Sequence, residues 1–272
     1  MRPAVRLCRR DTRGPVGGWL GGAPVLPPGK AWPAVTGHPD RLLPLLATVD
    51  CAAVPTGWLD FPWPETGLLQ FFMDYGWFDL RDGGVEEEAT QVVHLPQGTA
   101  AGAARTDGPV HPRHDLHVSL RLDMGGYRPG LSEDEEEWDF LDEDLQDFLQ
   151  ENPHASALVE LTTRRWEADP GDQDTDVDVV VGGFAVSAHS EPESALASEE
   201  SARTGESFAE AEDRILREWV PLAQFGVLTG AEAEGYADRS DQRMDFARFM
   251  ISRRDIAARR FESARSFSEF TG

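Results

Sequence analysis

Residues 43–50 read LPLLATVD, and 176 positions later residues 219–226 read WVPLAQFG. Each is a short, almost continuous apolar run bounded by turn-forming residues, the pattern of a strand buried on both faces. A second pair follows each of them. LLQFFMD at 68–74 is echoed by ARFMISR at 247–253, an offset of 178 when Leu69 is set against Ala247. Two strands recurring in the same order at nearly the same spacing indicate an internal duplication. The glycine pair Gly21-Gly22 recurs as Gly182-Gly183 at an offset of 161, and an insertion near 191–213 in the second half accounts for the shorter spacing.

Around these runs the chain fills in as strand and loop. Val5 and Leu7 mark a first strand within Arg2–Arg9. Gly17, Gly18, Gly21 and Gly22, then Pro24, Pro27, Pro28 and Pro33, read as a break followed by a loop. Residues 177–186 are apolar and split by glycine, and further strands are expected at 88–95, at 155–166, and at 115–123. In the last of these Leu116, Val118, Leu120 and Leu122 should face the core while His117, Ser119 and Arg121 face out. Residues 133–151 show helical spacing of Trp138, Leu141, Leu145, Phe148 and Leu149, with Ser132 and Glu135 as a capping box. The stretch 191–213 is rich in Ser, Ala and Glu, and reads as a mobile insertion or a weakly packed helix. Residues 255–262 read as a short helical turn. The expected fold class is α+β: mainly antiparallel sheets with a few peripheral helices, in two related halves. The expected division is a β-rich half at 1–130, an acidic connecting helix at 131–153, and a second half at 154–272.

Of 272 residues, 40% are hydrophobic and 27% charged, the balance of a globular chain. Acidic residues number 49 against 25 basic, a formal charge of -24. Such a field repels nucleic acid and attracts basic proteins. Lys30 is the lone lysine, a bias expected of a GC-rich genome. Cys8 and Cys51 have no CxxC spacing, and the basic start lacks an apolar signal-peptide core. With no apolar run of about 20 residues, a cytoplasmic protein without a membrane span is expected.

At this point the residues resemble a known family. Gly22-Ala23-Pro24-Val25-Leu26-Pro27 followed by Gly29 and Trp32-Pro33, the strand 45–50 ending in Asp50, and Gly67 to Phe72 resemble the first half of the YwqG-like family of bacterial cytoplasmic proteins. Val181 to Phe184, Leu222-Ala223-Gln224-Phe225 and Asp255-Ile256-Ala257-Ala258-Arg259-Arg260-Phe261 resemble its second half. Two positions depart: Thr48 and Gly226 stand where the family's strands carry Gln and Asp. The resemblance implies an α+β fold of antiparallel sheets with internal duplication. Members resemble genomic neighbours of toxin–immunity loci, which implies an interaction role.

Candidate sites are few. No GxSxG, HExxH, Walker A or GxGxxG string is present. His111, His114 and His117 in HPRHDLH do not converge on a metal, because Pro112 bars a helix and an extended chain sets the outer two roughly 20 Å apart. The alternating carboxylates of 169–178 lack the glycine and terminal glutamate of a calcium loop. Cys51 reads as a small buried residue. No cofactor or metal is expected. Trp32, Trp58, Trp63 and Trp77 with their neighbouring prolines either cap an open sheet end or form a peptide-binding groove. Asp50 and Asp74, at the ends of matched strands, are the carboxylates a small-molecule enzyme or sensor would use between the repeats. Glu133, Glu135, Glu136 and Glu137, on a helix with 11 acidic residues, present either a solvated face or a decoy for a basic surface. The leading expectation is a non-enzymatic binding protein, of an immunity or regulatory type, that neutralises a basic protein partner.

Overall fold

The computed structural model describes residues 2–9, 11–74, 86–99, 107–123, 179–185, 191–225 and 244–270. Strands dominate them: β1 (Arg2–Cys8), β2 (Val16–Leu20), β3 (Ala34–Val35), β4 (His38–Leu42), β5 (Leu45–Asp50), β6 (Leu68–Met73), β7 (Thr90–Leu95), β8 (His114–Asp123), β9 (Val179–Gly182), β10 (Trp219–Phe225), β11 (Met244–Ser252) and β12 (Arg265–Phe270). The helices among the described residues are α1 (Pro192–Thr204), α2 (Phe208–Glu218) and the five-residue α3 (Arg253–Ala257).

Ten of these strands form one antiparallel sheet in the order β12-β11-β10-β9-β1-β8-β2-β5-β6-β7, and β3 and β4 form a separate ribbon. This corrects the α+β expectation. The protein is β-rich, with its strands in one large, nearly closed sheet rather than several sheets flanked by helices. The physical reason lies at the centre. β1 pairs with β8 along its whole length, Arg2 opposite Asp123 through Cys8 opposite His117, and with β9 on its other side. The first strand therefore fuses what would otherwise be two sheets. The positions are paired about that centre: β5 and β10 each lie third from an edge, and β6 and β11 second.

The two edges approach each other. Thr90 Oγ1 on β7 lies 2.7 Å from Ser266 Oγ on β12. The His94 ring meets the Phe261 ring edge-on at a centroid distance of 4.9 Å. Inside the curled sheet Phe71, Phe225 and Phe249 form an edge-to-face trio at 5.2–5.7 Å, within a core that includes Val5, Leu7, Val49, Leu69 and Ile251. Edge-to-face aromatic contacts add to the burial of such large rings.

Each outer face has its own cover. Over β5 and β6, the segment holding Leu26, Trp32, Val35 and Leu43 packs on Leu45, Phe72 and Val93. Over β11, Leu196, Ala197, Ala211 and Ile215 of α1 and α2 pack on Met250. The stretch 191–213 is thus neither a mobile insertion nor a poorly packed helix. It is two helices punctuated by Gly205 at φ 78, the second capped by a reciprocal Ser207–Glu210 box.

Two further expectations are corrected. Gly17 and Gly18 do not break the chain; they lie within β2. A Cβ on Gly18 would lie 2.3 Å from the Thr48 carbonyl oxygen and one on Gly17 2.1 Å from Val118 Cγ2. Glycine is there for close approach of strands, a meaning that composition reads as loop. In β8, Leu116 and Val118 enter the core, but Leu120 and Leu122 are 47% and 48% exposed, because core packing follows only part of a ten-residue strand. The helix expected at 133–151, the strand at 155–166 and the acidic loop at 169–178 fall outside the described residues.

Candidate functional site

Polar side chains sealed between the sheet and its covers come first, because burying them demands partners. Thr48 faces Gln70 across β5 and β6, and Gln224 faces Arg248 across β10 and β11. All four are at most 4% exposed. Gln70 behaves as a surrogate strand: its Oε1 accepts the Val25 N–H at 2.8 Å and its Nε2 donates to the Val25 carbonyl at 2.6 Å. Gln224 Nε2 donates to the Phe184 carbonyl at 2.8 Å. Each glutamine fastens the backbone just beyond one of the duplicated glycine pairs, Gly21-Gly22 and Gly182-Gly183, whose φ values lie between 58° and 76°. Asp123 Oδ2 completes the second elbow by accepting the Phe184 N–H at 2.8 Å. Thr48 is fully buried, and its Oγ1 makes no hydrogen bond among the described residues, so the departure at this position lies in the interior and not along a groove.

One end of the sheet gathers several singled-out residues. Asp50 closes β5 and its carboxylate accepts the Ala52 N–H at 3.0 Å, capping the 3-10 turn Cys51–Ala53. Trp63 Nε1 donates to the Cys51 carbonyl at 3.1 Å, and Trp58 Nε1 donates to the Ala4 carbonyl at 2.9 Å. Both rings pack on the core beside Phe61. Both indoles are thus tied to backbone carbonyls rather than left free. Trp32 lies elsewhere, 4% exposed beneath the N-terminal cover, with its Nε1 donating to the Leu43 carbonyl at 2.8 Å.

Burial pushes the Cys51 thiol up to about 12, the neighbouring Asp50 carboxylate adding to the shift and the Arg259 cation opposing it. A thiol held protonated is a poor nucleophile. Burial likewise lowers His94, with Arg259 contributing, so its imidazole is neutral near pH 7. His111 is lowered by burial as well.

Asp50 and Asp74 are not brought together. They flank opposite ends of the β5–β6 pair, in which Asp50 stands opposite Leu68 and Leu45 opposite Phe72; six residues of strand separate the ends by roughly 20 Å. Asp74 is engaged instead by the Arg41 guanidinium. His117 Nδ1 lies 2.9 Å from the Gly14 carbonyl oxygen, and among the described residues no group of His, Cys, Asp and Glu is arranged to hold a metal. No helix among them is long and apolar enough to cross a membrane. Trp77, Glu133, Glu135, Glu136 and Glu137 lie outside the described residues.

Over residues 19–267, from the second strand to the last, the sequence matches the family described as Domain of unknown function (DUF1963). The chain belongs to that family. The match takes in both glycine elbows, both covers and all four buried polar positions. No curated protein matches the chain. Sequence reasoning passed over Gln70 and Gln224 as site residues. Their signal was available: an amide inside a run of apolar residues that period and burial place in the interior must find partners there.

Proposed function

We propose that this chain is a non-enzymatic cytoplasmic binding protein that holds a basic protein partner, in an immunity-type or regulatory role. The observation that carries the reading is where the charge sits. Residues 126–176 contain 17 acidic and 3 basic residues, a difference of -14 within a whole-chain charge of -24. Like charges a turn apart repel, and a cationic surface offsets that repulsion. Such a field raises the rate at which a basic partner arrives. The buried Gln70 and Gln224 fasten the loops beyond the glycine pairs, which suits a platform. The resemblance to the YwqG-like family, with its toxin–immunity neighbourhoods, supports the same role.

The test is kinetic. Proteins retained by the chain from its host are recovered, and association of the main basic one is timed at low and high salt. Association should slow steeply with salt, since screening acts beyond roughly 10 Å at 0.1 M. The variant with Glu133, Glu135, Glu136 and Glu137 all changed to Gln should associate more slowly and with a shallower slope. Equal rates and equal slopes for variant and parent would remove the proposal.

A further inference from the structure

Among the described residues, no backbone ladder joins the two edge strands of the ten-strand sheet. β7 and β12 stand at opposite ends of the strand order, and side chains bridge them at two points. At one, Thr90 meets Ser266. At the other, the His94 ring on β7 lies edge-on to the Phe261 ring. Phe261 opens the 3-10 turn Phe261–Ser263 that leads into β12.

His94 is poorly placed to carry a charge. Its Nε2 is sealed from water and makes no hydrogen bond among the described residues. The backbone at Gly67 crowds that nitrogen: a Cβ there would lie 3.1 Å from it. Phe261 on one side and Leu69, opposite His94 on β6, are fully buried and apolar. The charged group that acts on the ring is the Arg259 guanidinium, from the turn after α3, and its field opposes protonation. A hydrogen bond with the Thr66 backbone favours protonation and is the weaker influence; among the described residues no carboxylate acts on the ring.

We propose that His94 is an acid-sensitive latch: protonation of its ring releases the Phe261 turn from β7 and opens the sheet along this seam. Protonation turns Nε2 from an acceptor into a donor that has no acceptor, and it sets a second cation near Arg259. Opening gives the imidazolium water. Above the ordinary histidine value of 6.5, closed and open forms both hold a neutral ring and pH has no effect. Below it the open form takes up the proton and the closed form does not, so closure weakens as pH falls, by at most about tenfold per pH unit. The freed edge of β7 is a row of backbone groups to which a further strand can add. The latch is independent of the acidic interval 126–176 and of the partner proposed for it.

Hydrogen exchange of the full chain at about pH 7.5 and about pH 5.5, corrected for the intrinsic pH dependence of exchange, reads the opening. On acidification the opening equilibrium at Thr90–Leu95 and around Phe261 should rise several-fold, to at most about tenfold, while β1 and β8 stay protected. A proton NMR titration of the parent should place the His94 midpoint below 6.5. His94→Phe keeps a ring against Phe261 and removes the titration, so its seam should not respond to pH. His38→Gln, at an exposed ring on the separate ribbon, is the control and should respond like the parent. Arg259→Gln should raise the His94 midpoint and blunt the response, and it carries the test if His94→Phe does not fold. A parent midpoint at or above 6.5, an acid response retained in His94→Phe, or acceleration spread evenly over the sheet overturns the proposal.

Discussion

Thr90 and Ser266, 176 residues apart, meet hydroxyl to hydroxyl at 2.7 Å where the two edges of the sheet approach. Ser266 is 3% exposed, so this bond is sheltered from water. Removing Thr90's hydroxyl takes this partner from the buried Ser266 hydroxyl. Thr90→Val and Ser266→Ala are each expected to destabilise the protein by about 1 kcal/mol, and a double-mutant cycle should show a coupling of about 0.5–1.5 kcal/mol. Urea unfolding of the four proteins measures it. Simple additivity of the two substitutions would mean that the seam is held by backbone and ring contacts alone.

Gln70 supplies both a donor and an acceptor to Val25. Gln70→Leu keeps the volume but leaves two backbone groups without partners under the cover, a loss of roughly 2–4 kcal/mol. Hydrogen exchange should accelerate at Val25 and in the neighbouring cover while β10 and β11 stay protected. Uniform acceleration across the sheet would show that the cover and the barrel open together.

Arg259 has φ 58, at the end of α3 where Arg260 N–H returns to the Asp255 carbonyl. That left-handed position costs a side-chain-bearing residue about 1 kcal/mol relative to glycine. Arg259→Gly should therefore raise the melting temperature, by roughly 2–4 °C for a chain of this size. A fall would mean that the guanidinium contributes more to stability than the strain removes.

The Cys51 thiol, raised to about 12 from an ordinary value of 9.0, ties stability to alkaline pH. Below about pH 9 both folded and unfolded chains hold the proton and the pH dependence vanishes. Between about 9 and 12 the unfolded chain releases it and the folded chain does not, so stability falls as pH rises. Cys51→Ala should flatten that decline in denaturation curves collected from pH 8 to 10.5. Native protein at pH 8 should also resist iodoacetamide at Cys51 until denaturant is added.

What the sequence disclosed followed from period and burial. LPLLATVD and LLQFFMD became β5 and β6, and WVPLAQFG and ARFMISR fall in β10 and β11, because strands buried on both faces leave an unbroken apolar trace. What it hid followed from contacts between distant residues. Gly17 and Gly18 carry no sign of the Thr48 carbonyl and Val118 methyl that exclude a side chain from them. Nothing local to Arg2–Cys8 marks it as the strand on which two five-strand sets join. At the sheet end the tryptophans were legible as a cluster, but their carbonyl partners Ala4 and Cys51 were not. Asp50 and Asp74 invited pairing because both close apolar strands, yet antiparallel neighbours put equivalent ends on opposite sides.

The central place of β1 has a consequence for how the chain comes off the ribosome. Once made, β1 needs β8, more than a hundred residues later, and β9, more than fifty beyond that. At about 5–20 residues per second it waits on the order of ten seconds or more with both edges unpaired. Its sequence, RPAVRLC, carries Arg2 and Arg6 among the apolar residues, and charge on an open strand discourages pairing with the wrong neighbour. Biogenesis thus places its own demand on a segment that, in the finished protein, looks merely interior.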